Sequence, residues 1–194
     1  MQLLEAEAER AKVWLVEEFV SAEEAEVLLA RARAADYSAS PTQHATGQDW
    51  RSSSSAMLQR ADPELQQVLR RASALCGVPL DFVEAPQIVR YMPGERYQPH
   101  MDSDGPEHRH WTVLLYLNDP GGGGATGFPL LGLRVVPVPR LAVFWENLRE
   151  EAGLPQPVRN YYTLHDGLPP TGTEPKYAVN IWVRNRSYDP DAAA

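Results

Sequence analysis

The sequence predicts an α+β fold built on a barrel or jelly roll, and three observations predict it. Two amphipathic helical stretches stand within the first 80 residues, almost every later signal is strand, and the strand candidates are short, evenly spaced and separated by Pro/Gly turns. Strands of this kind close or cover their edges more readily than they form an open sheet, and a small jelly roll has a mouth where a ligand can sit. With 194 residues and 43% hydrophobic content the chain can bury one proper core. One domain is expected over residues 1–194, with helical support over about 13–80 and a jelly-roll core over about 84–188.

Taken in order, VWLVEEF (Val13 to Phe19) reads as a strand. A helix follows over SAEEAEVLLARARAAD, with Ser21 and Glu24 placed as a capping box and Ala25, Leu28, Leu29 and Ala32 on one apolar stripe. Tyr37 to Ser55, YSASPTQHATGQDWRSSSS, is polar with little periodicity and reads as a long loop of the kind that forms lids. A second helix starts at an Asp62 cap and Pro63, runs through Leu65, Val68, Leu69, Ala72 and Cys76, and stops at Gly77. The expected strands are APQIVRYM, YQPHMD, WTVLLYLN, LRVVPVP, LAVFW, YYTLH and KYAVNIWVR, with the turn PGGGG at Pro120 to Gly124.

The net charge of −8, with no block of lysine or arginine, speaks against nucleic acid and acidic membrane as partners. The opening is acidic and lacks an apolar signal core, and no segment reaches the length of a membrane span, so a soluble, cytoplasmic protein is expected. The single cysteine, Cys76, has no internal disulfide partner and lies on a helix's apolar stripe, where packing is its expected role.

The chemistry concentrates in His100 and Asp102 of RYQPHMDSD. A strand sends i and i+2 to one face, so both side chains can reach one point and bind a metal. Of the five histidines only His100 has such an acidic partner in a strand-like segment, and His165, at the end of YYTLH, is the natural third ligand. Two histidines and one carboxylate leave up to three positions on a metal, as non-haem Fe(II) oxygenases require. The same set plus water also suits zinc, which keeps a non-enzymatic jelly-roll module open. His108 and His110 are also spaced i, i+2, but DGPEHRH reads as a solvated loop.

YMPGERYQPHMD, TLHDGLPPTGTEPKYAVNIW, RHWTVLLYLNDPGGGGATGFP, VPVPRLAVFWENL and DWRSSSSAML, in this order-bearing set, resemble the prolyl 4-hydroxylase-like group of Fe(II)/2-oxoglutarate dioxygenases from about Val13 to Tyr188. The resemblance implies a double-stranded β-helix core with the N-terminal helices packed on one sheet. It implies Fe(II) on His100, Asp102 and His165, 2-oxoglutarate and O2 as cosubstrates, and ascorbate as an optional reductant. Lys176 would pair with the distal carboxylate of 2-oxoglutarate and Tyr91 would hydrogen-bond the same group, while Thr163 and Thr112 would line that pocket. A lysine among Ala178, Val179 and Ile181 is costly unless an anion meets it, which supports the first assignment. Strand parity puts Ala178, Asn180 and Trp182 on the face of Lys176.

On the substrate side the resemblance implies contacts from Tyr97, Arg109 and Trp182 to a proline-containing peptide or protein. A free amino acid or another small molecule would share every iron and cosubstrate motif and remains an alternative; a nucleic-acid demethylase is disfavoured by charge. Related halogenases place a small residue where Asp102 stands, so the aspartate favours hydroxylation. Two departures stand out: the interval from His165 to Lys176 is one residue longer than is usual, and Arg140 replaces a common glycine.

Overall fold

The computed structural model describes residues 1–4, 11–40, 50–103 and 109–188. The chain runs β1 (Gln2–Leu3), β2 (Val13–Val16), α1 (Ala22–Ala34), β3 (Ser38–Ala39), β4 (Ser54–Met57), α2 (Pro63–Cys76), β5 (Gln87–Tyr91), β6 (Tyr97–His100) and β7 (Arg109–Tyr116). It continues through β8 (Thr126–Phe128), β9 (Leu133–Val135), β10 (Ala142–Glu146), β11 (Leu148–Arg149), β12 (Val158–Arg159), β13 (His165–Gly167) and β14 (Lys176–Arg184). Eight strands form one sheet in the order β1-β2-β10-β7-β14-β5-β4-β3, and four form a second in the order β6-β13-β8-β9. Their pairings are antiparallel.

Alternation along the central strands divides the core in two. Val113, Leu115, Phe144, Val179, Ile181 and Val183 share a cluster with Leu28 and Ala32 of α1 and Leu65, Val68, Leu69 and Ala72 of α2. Leu114, Tyr116, Val143, Trp145 and Ala178, of opposite parity, share a second cluster with Phe128 and Val135 of the smaller sheet. The large sheet thus has helices on one face and the small sheet on the other, and the even-numbered side chains of β14 face the space between the sheets.

Both helices begin as their sequences dictate. The Ser21 hydroxyl accepts from the Glu24 N–H at 3.1 Å and the Glu24 carboxylate accepts from the Ser21 N–H at 2.8 Å. Asp62 caps α2, Pro63 occupies its first turn, and Gly77 closes it at φ 68°. Cys76 packs against the helix-side core, and burial pushes its thiol up to about 12. No helix among the described residues is long and apolar enough to cross a membrane.

Several expectations are corrected. The stretch Tyr37 to Ser55 is not all loop: β3 and β4 pair with each other, and β4 pairs with β5 at the edge of the large sheet. Its serines show no alternation, so the strand is made by an available edge and not by local pattern. Residues 41–49 of that stretch lie outside the described residues. YYTLH is not a strand ending at His165. Tyr161–Thr163 form a 3-10 turn whose Tyr162 N–H is accepted by the Asn160 side chain, and His165 begins β13. His110 belongs to β7, stacked on Trp111 with ring centroids 4.1 Å apart, so it is no solvated loop residue; His108 lies outside the described residues. Arg140, noted as a replacement for glycine, has φ 70°, in the left-handed region that glycine enters without cost.

Candidate active site

Antiparallel pairing of β6 with β13 sets His100 directly opposite His165. Asp102 follows two residues beyond the end of β6. His100 Nε2 lies 4.0 Å from Asp102 Oδ1 and His165 Nε2 lies 3.6 Å from Asp102 Oδ2. Donor atoms of the three residues all fall within 4.8 Å of one another, a group that could hold a metal ion.

The donor set fits Fe(II). Nδ1 of His100 is 2.9 Å from the carbonyl of Gln98, and Nδ1 of His165 is 2.9 Å from the carbonyl of Thr163. A carbonyl only accepts, so each Nδ1 carries a proton and Nε2 is the ring nitrogen left facing Asp102. Burial, reinforced by His165, pushes His100 down to about 3, which keeps it a neutral ligand. Burial alone would raise Asp102, but His165, His100, Arg109 and the hydrogen bond from Thr112 outweigh it and hold the carboxyl below its usual range. The donors the site offers a metal are therefore Nε2 of each histidine and the carboxylate of Asp102.

Behind the donors runs a buried relay that the sequence did not disclose. Trp145 Nε1 donates to Asn147 Oδ1 at 2.8 Å, Asn147 Nδ2 donates to Thr112 Oγ1 at 2.9 Å, and Thr112 Oγ1 donates to Asp102 Oδ2 at 2.7 Å. Each member of the chain spends one polar group on the next, so the carboxylate has one orientation. Thr163 is likewise behind a ligand: its hydroxyl donates to the Asn160 carbonyl at 2.8 Å while its own carbonyl faces His165. Thr112 and Thr163 are thus not among the described residues lining the cavity, where both were expected.

In front of the donors lies a cavity of about 870 Å³, lined by His100, Asp102, His165, Lys176, Tyr91, Tyr97, Arg109 and Trp182 among others. Lys176 is 2% exposed, with Nζ 5.1 Å from the ring centroids of both Tyr91 and Tyr116. Among the described residues its ammonium has no hydrogen-bond or ion-pair partner, and burial pushes it down to about 7. Tyr91 sits opposite Lys176 in the pairing of β5 with β14, and Gly167 makes room for its hydroxyl: a Cβ there would stand 2.8 Å from Tyr91 Oη. Burial raises the Tyr91 phenol, which stays a neutral donor. Tyr97 stacks on His100 with centroids 3.5 Å apart, and the Arg109 guanidinium lies 3.5 Å over the Trp182 ring.

A jelly roll with a facial His/Asp/His group beside a buried cationic pocket defines a class of oxygenase, and residues 86–184 match the family model of the 2OG-Fe(II) oxygenase superfamily. The chain belongs to that superfamily. Within it the likeness is to prolyl 4-hydroxylases. The chain is 31% identical over 138 residues to prolyl 4-hydroxylase subunit alpha-1 of Gallus gallus, covering 66% of this chain and 26% of that one. It is 29% identical over 155 residues to a relative in Acanthamoeba polyphaga mimivirus, covering 74% of this chain and 62% of that one. It therefore spans less than two thirds of the length of these relatives. Among solved structures, the viral collagen prolyl hydroxylase of Paramecium bursaria Chlorella virus-1, in its 2OG complex, superposes with a TM-score of 0.69 at 25% identity, over 89% of this chain and 95% of that one. The double-stranded β-helix is thus the core architecture, as expected.

Proposed function

We propose that the protein is an Fe(II)- and 2-oxoglutarate-dependent dioxygenase that hydroxylates an unactivated C–H, on a prolyl residue of a peptide or protein. The observation that carries this reading is one cavity walled by both a His/Asp/His donor set and a buried lysine that makes no hydrogen bond or ion pair among the described residues, with only the more distant Asp166 carboxylate acting on its charge. An ammonium left in that state costs free energy that a carboxylate recovers, and a dicarboxylate can meet Lys176 with one end and a metal with the other.

Fe(II) with 2-oxoglutarate and O2 supplies oxidative decarboxylation to succinate and CO2, coupled to insertion of one oxygen atom into the substrate C–H bond. The chain does the positioning. His100, Asp102 and His165 hold the metal, with tautomers set by Gln98 and Thr163 and the carboxylate set by Thr112. Lys176 and Tyr91 hold the distal carboxylate. Tyr97 and Trp182 present flat aromatic faces for a pyrrolidine ring. Trp182 Nε1 is buried without a partner among the described residues, which suits it to donate to a substrate carbonyl. The helices support the opposite face of the large sheet, away from the cavity, and a cytoplasmic location accords with the single cysteine.

The test is anaerobic reconstitution with Fe(II) and 2-oxoglutarate, followed by O2 and a panel of proline-containing peptides and free amino acids. A mass gain of one oxygen on a peptide, matched by succinate, is the expected result. Tight zinc with no 2-oxoglutarate turnover would instead make this a binding module, and exclusive turnover of a free amino acid would move the substrate to the small-molecule class.

A further inference from the structure

The lysine of the cavity is held at every level of its length. Its backbone is bracketed by one side chain: Asn118 Nδ2 donates to the Pro175 carbonyl at 2.8 Å and Asn118 Oδ1 accepts from the Tyr177 N–H at 2.8 Å, on either side of Lys176. Its stem runs against the glycine turn, where a Cβ added to Gly124 would stand 3.3 Å from Lys176 Cδ. Its head lies beside two rings, with Nζ 5.1 Å from the centroids of both Tyr91 and Tyr116. Asp166, the one carboxylate among the described residues that acts on this charge, is itself held by the Gly127 N–H at 3.1 Å.

The two rings are not equivalent. Tyr91 lines the cavity, whereas Tyr116 is 0% exposed and is not among the described lining residues. In the pairing of β14 with β7, Tyr116 stands opposite Ala178, two residues along the strand from Lys176, so its ring and the lysine share one face of the large sheet. Its hydroxyl crosses to the small sheet, where Oη lies 2.7 Å from Thr126 Oγ1 of β8 and 3.3 Å from the Val135 carbonyl of β9. A phenol has one proton, and here both acceptors for it belong to the fold. The ring therefore backs Lys176 as a brace tied to both sheets, without touching what the lysine binds. A stem fixed at its backbone and at Cδ, with a tethered ring beside the ammonium, leaves the charge one position.

We propose that Tyr116 determines specificity for the cosubstrate: by denying Lys176 room to retreat, it fixes the span from the metal donors to the ammonium, so that the cavity accepts a five-carbon 2-oxo dicarboxylate and rejects its six-carbon homologue. This rests on the 2-oxoglutarate reading and goes beyond it, since an unconstrained lysine would serve either acid. An ammonium on a flexible stem follows its ligand by rotation and absorbs an extra methylene with little loss. Held as Lys176 is, it meets the longer acid only if that chain buckles or the ion pair opens, and either change forfeits most of one charge-assisted contact. Tyr116 acts through Lys176 and is a positioning residue.

The test is calorimetric binding to the full chain with Mn(II) in place of iron, so that nothing turns over. The probes are 2-oxoglutarate, 2-oxoadipate, and 2-oxopentanoate, which keeps the five-carbon chain and lacks the distal carboxylate. The parent should bind 2-oxoglutarate about tenfold more tightly than either of the others, the size of one charge-assisted contact. Tyr116→Leu opens room beside the ammonium, so the preference for 2-oxoglutarate over 2-oxoadipate should fall to within about twofold, while the preference over 2-oxopentanoate stays about tenfold because the lysine remains. Tyr116→Phe conserves the volume and removes only the tether, which tests the brace in a protein that packs like the parent; the same preference should fall about threefold. A ratio of two acids on one preparation does not depend on how much of it is folded, and general damage to the core weakens all three acids alike. Equal binding of 2-oxoglutarate and 2-oxoadipate by the parent, or a preference unchanged in the variants, overturns the inference and leaves the cosubstrate reading standing. Binding of 2-oxopentanoate by the parent as tight as that of 2-oxoglutarate takes the distal carboxylate away from Lys176 and overturns both.

Discussion

Lys176 is the residue at which stability and binding pull against each other. Burial holds its ammonium near 7 against an ordinary value of 10.5. Between those values the unfolded chain binds a proton that the folded chain does not, so the stability of the ligand-free protein should rise as pH climbs from about 7 to about 10.5, by an amount on the order of a few kcal/mol, and be flat below 7. Denaturant midpoints across that range check this, and Lys176→Met should remove the slope. The same proton governs binding. A carboxylate partner favours the charged form, so 2-oxoglutarate should bind with proton uptake above pH 7 and weaken as pH rises further; calorimetry in buffers of different ionisation enthalpy reads the uptake. Lys176→Ala should raise the KM for 2-oxoglutarate at least tenfold with iron content unchanged. Thr112 makes a complementary case, because it touches Asp102 and not the cavity. Thr112→Val should lower iron affinity by about 10- to 100-fold with little effect on cosubstrate KM at saturating iron, and Thr112→Ser should recover most of it.

At the scale of elements, the loop between His165 and Lys176 is seated on a glycine turn. The turn Gly121–Gly124, positive in φ at all four positions, lies against the loop that leads into β14: the Thr171 N–H donates to the Gly122 carbonyl at 2.9 Å and the Gly124 N–H donates to the Pro169 carbonyl at 2.9 Å. A Cβ on Gly123 would stand 2.5 Å from the Pro169 carbonyl oxygen, and one on Gly124 would stand 3.3 Å from Lys176 Cδ. Four glycines are thus the cost of bringing two backbones together beside the lysine stem. Gly123→Ala should destabilise the fold by about 2 kcal/mol or more and, in the folded fraction, raise the KM for 2-oxoglutarate by displacing the start of β14. Thermal melts and initial rates separate the two effects. The sequence announced PGGGG only as a turn, because the partner it fits lies far along the chain. His165 shows the same limit: YYTLH has a strand's composition, but the Asn160 side chain captures the Tyr162 N–H and bends the segment into a 3-10 turn.

Across the whole molecule, what was legible in the sequence follows from how few residue types each task admits. His100 and Asp102 share a face by the i, i+2 parity of a strand, and Lys176 shares one with Ala178, Asn180 and Trp182 by the parity of β14; those placements could be read from spacing, whereas the role expected of Lys176 came from the family resemblance. The roles of Thr112, Asn147 and Tyr116 could not be read so, since a buried threonine, asparagine or tyrosine looks locally like any other, and these roles exist only after β7, β10 and β14 are assembled. Assembly also separates support from chemistry. Odd residues of β14 join the helix-side core and even ones line the cavity, so one sheet carries stability on one face and the site on the other. That division makes a prediction. Leu69 of α2 is 0% exposed in the helix-side core, and Leu69→Ala should cost about 2–5 kcal/mol through lost burial and the void left behind. Because the sheet stands between that void and the cavity, iron affinity and the KM for 2-oxoglutarate should stay within twofold of the parent at temperatures where the variant is folded. Paired melts and cosubstrate titrations decide it: a many-fold rise in KM at full folding would mean that the helices set the geometry of the site through the sheet.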